Sequence, residues 1–396
     1  MKTAFSNLAI VRLLLMIAKS QGTFAFFAGS LHLPSHRVTR PGLVMQGQGH
    51  QVIVVGLNGA LQKTLTFKGL EVGRVNRASQ AGTGVGGKGQ NVCVALRNQG
   101  GDVAVSLVQF TGGSTGMAVR DKMSSLGVTL VEVETAAEMR TCTSLVDERF
   151  GETTEVIEPW SGNVGSGELD SLVQACRDSF RDVPRIHGLA FMGSLPGGLP
   201  ADAYAQIMDA VAASPGFADP DTRVLADTTN GFEPLVSTGH VDLLKVNAEE
   251  LLLLADVGED EPSVWMEDKL GKAVKRLFRK HPRLPWIAVT NGGLPAYLYS
   301  HIFFDAHDDK LTSFWRYTLP FVDAVNPIGA GDAVAAGTMF AWSQGMPLPQ
   351  AFEQGLAAGC ASCQNRDPIS NACFDASEAE ALLGDIRVQS VEGYLP

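Results

Sequence analysis

Short apolar segments alternate with amphipathic segments along the chain from Gln51 onward. The apolar segments have the length of buried strands, and the segments between them repeat apolar residues at helical spacing. This alternation is typical of the α/β class, in which helices cover both faces of a mostly parallel central sheet. The predicted strands are Val52–Gly56, Val103–Phe110, Ile186–Met192, Arg223–Asp227, Asp242–Val246 and Trp286–Thr290. The predicted helices are Val92–Asn98, Gly116–Leu126, Glu168–Phe180, Ala201–Ala213, Ala248–Ala255, Asp268–Lys280, Ala333–Trp342 and Pro349–Cys363.

Two segments depart from this alternation. Lys63 to Ser79 and Arg140 to Glu158 are rich in Thr, Val and charged residues and alternate only in part. We therefore predict exposed strands without helices there, in a small sheet that spans residues 62–80 and 139–160. Elsewhere, polar residues stand where predicted strands end, at Asp227, Asn247 and Thr290. Ligands of parallel sheets bind beyond these carboxyl ends.

The first 50 residues predict a leader, and residues 51–396 predict the folded domain. The first acidic residue is Glu71, and the residues before it include basic side chains and serines. The apolar run Leu8–Ala18 is interrupted by Arg12 and is too short to span a bilayer, so no membrane partner is expected. This composition favours import into a plastid or mitochondrion, and a disordered extension of a cytoplasmic protein is the alternative. The net charge of −11 argues against a nucleic-acid partner.

The segment Val325 to Ala333 reads Val-Asn-Pro-Ile-Gly-Ala-Gly-Asp-Ala and opens a predicted helix. The N–H groups of Gly329, Ala330 and Gly331 would then point at one spot on the positive end of the helix dipole, which makes an anion hole. Asp332 would stand beside the anion, where it could take a proton from an attacking hydroxyl. These groups suit phosphoryl transfer to an alcohol. An ordinary helix cap with two glycines is the alternative.

A second glycine-rich segment, Gly82 to Asn91, precedes the helix predicted from Val92. It fits the dinucleotide fingerprint G-x-G-x-x-G, but the polar residues before it do not predict the required strand. It also nearly fits the P-loop, but Gly89 stands where a Ser or Thr must bind magnesium. The chain thus has two glycine-rich helix entries, one with Lys88 and one with an aspartate, as two phosphate-handling ends of one site would require.

Gly-Gly-Lys-Gly-x-Asn at residues 86–91 and Gly-Ala-Gly-Asp at 329–332 resemble the two signatures of the PfkB family of carbohydrate kinases, which have the ribokinase-like fold. The resemblance runs from about Val52 to Asn365. It is closest to the tagatose-6-phosphate kinase and 1-phosphofructokinase branch, whose motifs are similar to residues 56–61, 75–77 and 193–197. It implies transfer of the γ-phosphoryl of ATP to a sugar-phosphate hydroxyl with Mg²⁺, Asp332 as general base and the small sheet as a lid. A homodimer through this lid is a further expectation.

The resemblance also assigns binding residues. The residues implied for the sugar substrate are Asn58, Gln62, Asn76, Arg77, Gly87, Lys88, Asn91, Arg140 and Ser194. Those implied for the nucleotide are Lys245, Asn247, Glu250, Thr290, Gly292 and Asn365, and those implied for magnesium are Asp227 and Glu250. Asn247 and Glu250 also have the spacing of a helix capping box, so a local structural role stays open for both.

Four positions depart from the family pattern. Gln62 replaces an aspartate that binds sugar hydroxyls, Val94 an arginine, Pro295 a glycine of the nucleotide loop and Pro327 a threonine before the anion hole. The catalytic end is thus intact while the sugar end is altered. Three alternatives remain, namely a kinase for an unphosphorylated sugar, a nucleoside kinase, and a catalytically weak binding protein of the same fold.

Overall fold

A computed structural model describes residues 50–218, 221–258, 266–365, 367 and 371–395. Residues 1–49 of the predicted leader lie outside the described residues, so the leader stays a prediction, while His50 begins the first strand. The strands, in chain order, are β1 (His50–Val55), β2 (Ala60–Phe67), β3 (Gln80–Gly86), β4 (Val103–Thr111), β5 (Thr129–Glu134), β6 (Arg140–Asp147), β7 (Glu152–Ile157), β8 (Gly188–Met192), β9 (Arg223–Asp227), β10 (Leu243–Asn247), β11 (Trp286–Thr290), β12 (Ala296–Ser300), β13 (Phe304–Asp305), β14 (Lys310–Thr318) and β15 (Arg387–Leu395).

The large sheet contains eleven strands in the described part of the chain, in the order β13-β14-β12-β11-β10-β9-β8-β1-β4-β5, with β15 paired to β14. The strands from β11 to β5 run parallel to one another. The inner strands of this set are mostly apolar and buried, as in all five residues of Gly188–Met192, because layers on both faces exclude water, whereas the edge strand β5 is largely exposed or half-buried. The predicted α/β class with a mostly parallel sheet is confirmed. The antiparallel edge from β12 to β15 was not predicted.

Helices flank the large sheet. Their bounds are α1 (Lys88–Asn98), α2 (Gly113–Ser125), α3 (Ser166–Phe180), α4 (Ala203–Ala212), α5 (Phe232–Ser237), α6 (Ala248–Leu254), α7 (Met266–Lys280), α8 (Ala330–Ser343), α9 (Leu348–Cys363) and α10 (Ala376–Leu383). Each predicted helix is present with shifted ends, and the short α5 and α10 were missed. In α7, Leu270, Val274 and Leu277 recur at helical spacing and are buried. Within the described residues, no helix has the length and apolarity needed to cross a membrane.

The small sheet has the order β3-β2-β6-β7 and is separate from the large one. Its presence confirms the predicted second sheet, but its strands differ from the expectation. The strand prediction over Lys63–Ser79 extends too far, because β2 ends at Phe67 and residues 68–79 contain no strand. Gly82 and Gly84 lie within β3 and not in a loop. Gly87 alone joins this strand to α1, so the small sheet leads directly into the first glycine-rich helix entry.

Candidate active site

A cavity of about 540 Å³ lies among the carboxyl ends of β9, β10 and β11, the starts of α1 and α8, and the small sheet. Its position agrees with the rule that ligands of parallel sheets bind beyond the carboxyl ends. The predicted site residues that line it are Gln62, Gly87, Lys88, Asn91, Arg140, Asp227, Lys245, Asn247, Glu250, Thr290, Gly329, Gly331 and Asp332.

Asp332 stands in the first turn of α8 and is 7% exposed. Its Oδ2 accepts a hydrogen bond of 2.8 Å from Nδ2 of Asn91 in α1. Burial, and after it the negative charge of Asp227, raise the pKa of Asp332 to about 6, against the opposing effects of Asn91, Lys88 and Lys245. The carboxylate is therefore ionised at neutral pH, with a pKa close enough to neutrality to accept a proton efficiently.

The predicted anion hole lies at the start of α8, where the structure places two of its three residues in the cavity lining. Gly329 has φ 80°, a left-handed conformation that suits glycine, and a Cβ there would lie 2.7 Å from the backbone nitrogen of Ala372. Gly329 and Gly331 line the cavity. The N–H of Ala330 instead donates to the carbonyl of Pro327 at 3.2 Å, which corrects its predicted role as a free donor.

Asp227 is the centre of a buried ion-pair network. Its Oδ1 accepts from Nζ of Lys88 and its Oδ2 from Nζ of Lys245, both at 2.6 Å. Lys88 also contacts Oε1 of Glu250 at 2.8 Å. Burial alone would raise the pKa of Asp227, but the two ammonium groups outweigh it and hold that pKa below its ordinary value. Lys88 was predicted to face the substrate phosphate, and the structure pairs it with these carboxylates.

The two predicted magnesium ligands differ in how well they fit a metal ion. Both oxygens of Asp227 are held by ammonium groups and its side chain is 1% exposed, so it does not fit and that prediction is corrected. Glu250 contacts one ammonium group instead of two and is partly exposed in the cavity, so it fits better, since Mg²⁺ takes most of its ligands from water and phosphate. Among the described residues, no group of three or more His, Cys, Asp or Glu could hold a metal ion by itself.

Glu250 and Asn247 also form the capping box of α6. The backbone N–H of Glu250 donates to Oδ1 of Asn247 at 2.8 Å, and the backbone N–H of Asn247 donates to Oε2 of Glu250 at 3.0 Å. The local structural role is therefore present. It leaves both residues in the cavity wall beside Thr290, so the capping box places these residues where a nucleotide could meet them.

The small sheet forms one wall of the cavity, on the side where Gln62 departs from the family pattern. Gln62 is 2% exposed, and its Nε2 donates to Oγ of Ser144 at 2.8 Å. Arg140 donates from Nη2 to the carbonyl of Asn58 at 3.1 Å, while its buried Nε has no partner among the described residues. Glu155 on β7 also lines this wall and was not predicted. Its sequence signal was its place in the second lid segment.

Several predicted residues lie outside the cavity lining. Nδ2 of Asn58 donates to Oγ of Ser194 at 2.8 Å, and Nε1 of Trp160, a residue that sequence reasoning missed, donates to Oδ1 of Asn58 at 2.8 Å. These hydrogen bonds hold Asn58, whose backbone carbonyl accepts from Arg140.

The remaining predicted residues are engaged elsewhere or exposed. The side-chain amide of Asn76 accepts from the backbone N–H of Glu71 and donates to the backbone carbonyl of Glu71, within the same loop. Arg77 is exposed. Asn365 donates to the carbonyl of Cys373 at 3.2 Å, and Gly292 has φ 57° beyond the end of β11. None of these four residues lines the cavity, and their binding roles stay predictions.

Comparisons with known proteins agree with this geometry. The model of the pfkB family of carbohydrate kinases matches residues 56–373. Phosphofructokinase-2 from Escherichia coli is 18% identical with a TM-score of 0.69, over 86% of this chain and 99% of that one. A "possible 1-phosphofructokinase" from Thermotoga maritima is 18% identical with a TM-score of 0.67, over 87% and 100%. Ribokinase from Thermotoga maritima is 18% identical with a TM-score of 0.61, over 85% and 99%. At these identities the three structures show a shared fold.

Proposed function

Because the chain belongs to the pfkB family of carbohydrate kinases, we propose that it transfers the γ-phosphoryl group of ATP to a hydroxyl of a sugar phosphate. The observation that carries this proposal is Asp332. It is a buried carboxylate in the first turn of a helix that begins with Gly-Ala-Gly, and it lines the main cavity. A base beside an anion hole is what phosphoryl transfer to an alcohol needs.

The proposed reaction runs through this chain's own groups. The acceptor hydroxyl gives its proton to Asp332 as its oxygen bonds to the γ-phosphorus, and the bond from that phosphorus to the leaving oxygen of ADP breaks. The N–H groups at the start of α8 stabilise the negative charge on the phosphoryl oxygens. Lys245 adds positive charge there, since its Nζ would lie 3.4 Å from a Cβ atom at Gly331.

Two further parts of the site support nucleotide chemistry. Mg²⁺, when bound with ATP, would neutralise charge on the phosphate oxygens, and Glu250 is the carboxylate that fits it. The small sheet covers the sugar end, where it would exclude water from the reacting groups. Water exclusion favours transfer to the sugar over hydrolysis of ATP.

Arg140 is the main support for a phosphorylated acceptor. Arg140 lines the cavity, and its buried Nε has no partner among the described residues. A phosphate oxygen would satisfy that group with a charge-assisted hydrogen bond. The resemblance to the branch that phosphorylates sugar phosphates points the same way. Asn76 and Arg77 lie outside the cavity and add no support within one copy of the chain.

One observation favours the alternative of an unphosphorylated acceptor. Glu155 lines the same wall as Arg140 and would repel a phosphate while accepting hydrogen bonds from hydroxyls. Gln62 carries no charge, so it would bind a pair of sugar hydroxyls less strongly than the aspartate of the family pattern.

A panel of acceptors tests the proposal. ADP formation would be measured with ATP, Mg²⁺ and fructose 6-phosphate, fructose 1-phosphate, tagatose 6-phosphate, fructose, ribose or adenosine. We expect the highest kcat/KM with a sugar phosphate. A preference for fructose or ribose would establish the alternative, and no transfer to any acceptor would favour a binding protein of this fold.

Two further expectations are proposals of the same kind. The small sheet and its loops expose apolar side chains, among them Val72, Val75 and Val156, and we propose that they contact a second copy of the chain. Sedimentation would show a dimer. We also propose organelle import by the first 50 residues, which a fluorescent protein fused behind them would report by its location in the cell.

A further inference from the structure

Asn91 and Asp332 are far apart in the sequence but in contact in the folded protein. They are 241 positions apart in sequence, yet Nδ2 of Asn91 lies 2.8 Å from Oδ2 of Asp332. Both side chains are buried, with 5% and 7% exposure. The contact joins the first turns of α1 and α8, the two glycine-rich helix entries of the site.

The direction of this hydrogen bond follows from the chemistry of the two groups. An ionised carboxylate only accepts hydrogen bonds, so the amide must turn its nitrogen towards Asp332. The amide oxygen of Asn91 is then buried without a partner in the described part of the protein. A buried acceptor of this kind calls for a donor, and a hydroxyl of the acceptor sugar next to the reacting one would supply it.

We propose that Asn91 is a positioning residue for the base: it aims the carboxylate of Asp332 at the acceptor and keeps that carboxylate ionised. This role rests on the proposed function of Asp332. From the sequence, Asn91 was assigned only to the sugar substrate. The structure adds the base itself.

The charges around Asp332 make the hydrogen bond matter. Asp227 on β9 disfavours the ionised form, while Lys88 on α1 and Lys245 on β10 favour it. Both lysines are shared with Asp227, so part of their charge is already compensated. A neutral donor such as Asn91 stabilises the carboxylate without adding a charge, and hydrogen bonds to charged groups are among the stronger ones.

The sign of the effect on stability can be worked out. Asp332 has a folded-state pKa of about 6, above the ordinary value of 3.8 for an aspartate. The protonated form of Asp332 therefore does not reduce the stability of the fold below about pH 4. The free energy of unfolding decreases as Asp332 ionises, while pH rises through about 6. Without Asn91 the folded-state pKa rises further, so removing Asn91 costs extra stability only where Asp332 is ionised.

The decisive variant is Asn91→Leu, which keeps the approximate size and removes the donor. Asn98→Leu is the matched control, since Asn98 lies on the same helix and donates to Sγ of Cys373 at 2.7 Å, away from the base. Urea unfolding would be followed at pH 5 and pH 8 in the Asp332 and Asp332→Asn backgrounds. We expect Asn91→Leu to cost about tenfold more in the unfolding equilibrium at pH 8 than at pH 5, and this difference to vanish with Asp332→Asn.

The control should lose the same stability at both pH values. An equal loss at both pH values for Asn91→Leu, or a pH-dependent loss that persists with Asp332→Asn, would overturn the proposal. With an acceptor from the panel, the acid limb of kcat/KM should also move from near pH 6 upward by about one unit in Asn91→Leu. If no acceptor is phosphorylated, the proposed function fails while the unfolding experiment still decides the role of Asn91.

Discussion

Two aspartates in one cavity have pKa values shifted in opposite directions. Asp227 and Asp332 are both buried, and burial alone raises the pKa of each. Asp227 is held by two ammonium groups, so its pKa falls below the ordinary value, whereas Asp332 receives one amide hydrogen bond and the repulsion of Asp227. Environments that separate two carboxylates in this way assign them different tasks. Asp227 organises the lysines, and Asp332 is the group suited to move a proton.

The first prediction concerns Asp227. Asp227→Asn leaves the buried Lys245 without the charge of Asp227 and leaves Lys88 with Glu250 alone, so the free energy of unfolding should fall by about 3–5 kcal/mol at pH 7. Since the pKa of Asp227 is lowered on folding, its contribution to stability is present above the ordinary value of 3.8 and is lost as pH falls through the lower folded-state pKa. Urea unfolding measures this loss.

Asp178→Asn is the control for that experiment. Asp178 pairs with Arg181 on the surface, where both side chains are more than half exposed, so its removal should change stability by less than about 1 kcal/mol. If Asp227→Asn were as mild as this control, the ion-pair network would not hold the site together.

The second prediction concerns the acceptor. If Arg140 binds its phosphate, Arg140→Ala should raise KM for the sugar phosphate by about 10- to 100-fold, because a charge-assisted hydrogen bond is lost, and leave KM for ATP unchanged. Lys63→Ala is the matched control, since Lys63 is an exposed cation on β2 of the same sheet that does not line the cavity. The phosphorylated acceptor would be ruled out if an unphosphorylated sugar were the better substrate and Arg140→Ala left its KM unchanged. The natural acceptor would then be a free sugar.

At the scale of elements, the start of α1 approaches the end of β1 closely. A Cβ at Gly56 would lie 2.7 Å from Cα of Gly89, and a Cβ at Gly89 would collide with Cα of Gly56. Only glycine at both positions lets the first turn of α1 reach the cavity. This contact fixes the position of Lys88 and Asn91 relative to the carboxyl end of β1.

The third prediction follows from this contact. Gly89→Ala should lower the free energy of unfolding by about 1–3 kcal/mol, because an atom is forced between two backbones, and it should reduce kcat by displacing α1. Gly167→Ala in α3 is the control, since a Cβ there meets nothing within 4 Å and its stability should stay the same or rise slightly. Equal stability of the two variants would show that the close approach is not required.

Sequence reasoning located the elements of the site better than their contacts. The glycine entries at 86–91 and 329–332 are local signals, and both open helices in the structure. The partners of Lys88 could not be predicted, because Asp227 and Glu250 lie 139 and 162 positions away and join it only through the fold. Within the antiparallel edge, the pairing of β14 with β15 near the C-terminal end is long-range in the same way, whereas β12, β13 and β14 pair with near neighbours in the sequence.

At the scale of the whole molecule, the described residues contain one cavity that gathers both signatures, the strand ends and the lid. The fourth prediction concerns the predicted leader, which precedes the folded domain in the sequence. A truncated chain that starts near Gln51 should fold and keep the kcat and KM of the full chain, because the first 50 residues lack acidic residues and the periodicity of a core. Thermal unfolding and kinetics of both forms measure this. Loss of soluble protein or of activity on truncation would place the leader within the domain.

The fifth prediction is the most direct test of the central claim, that Asp332 is the base of a sugar kinase. Kinetics of Asp332→Asn would be measured with the best acceptor from the panel, together with ATP binding by calorimetry. We predict that kcat falls by about 10²–10⁴ while the Kd for ATP stays within a few-fold of the wild-type value, because the base acts on the transition state and the phosphate-binding groups remain. A kcat close to the wild-type value would contradict the account.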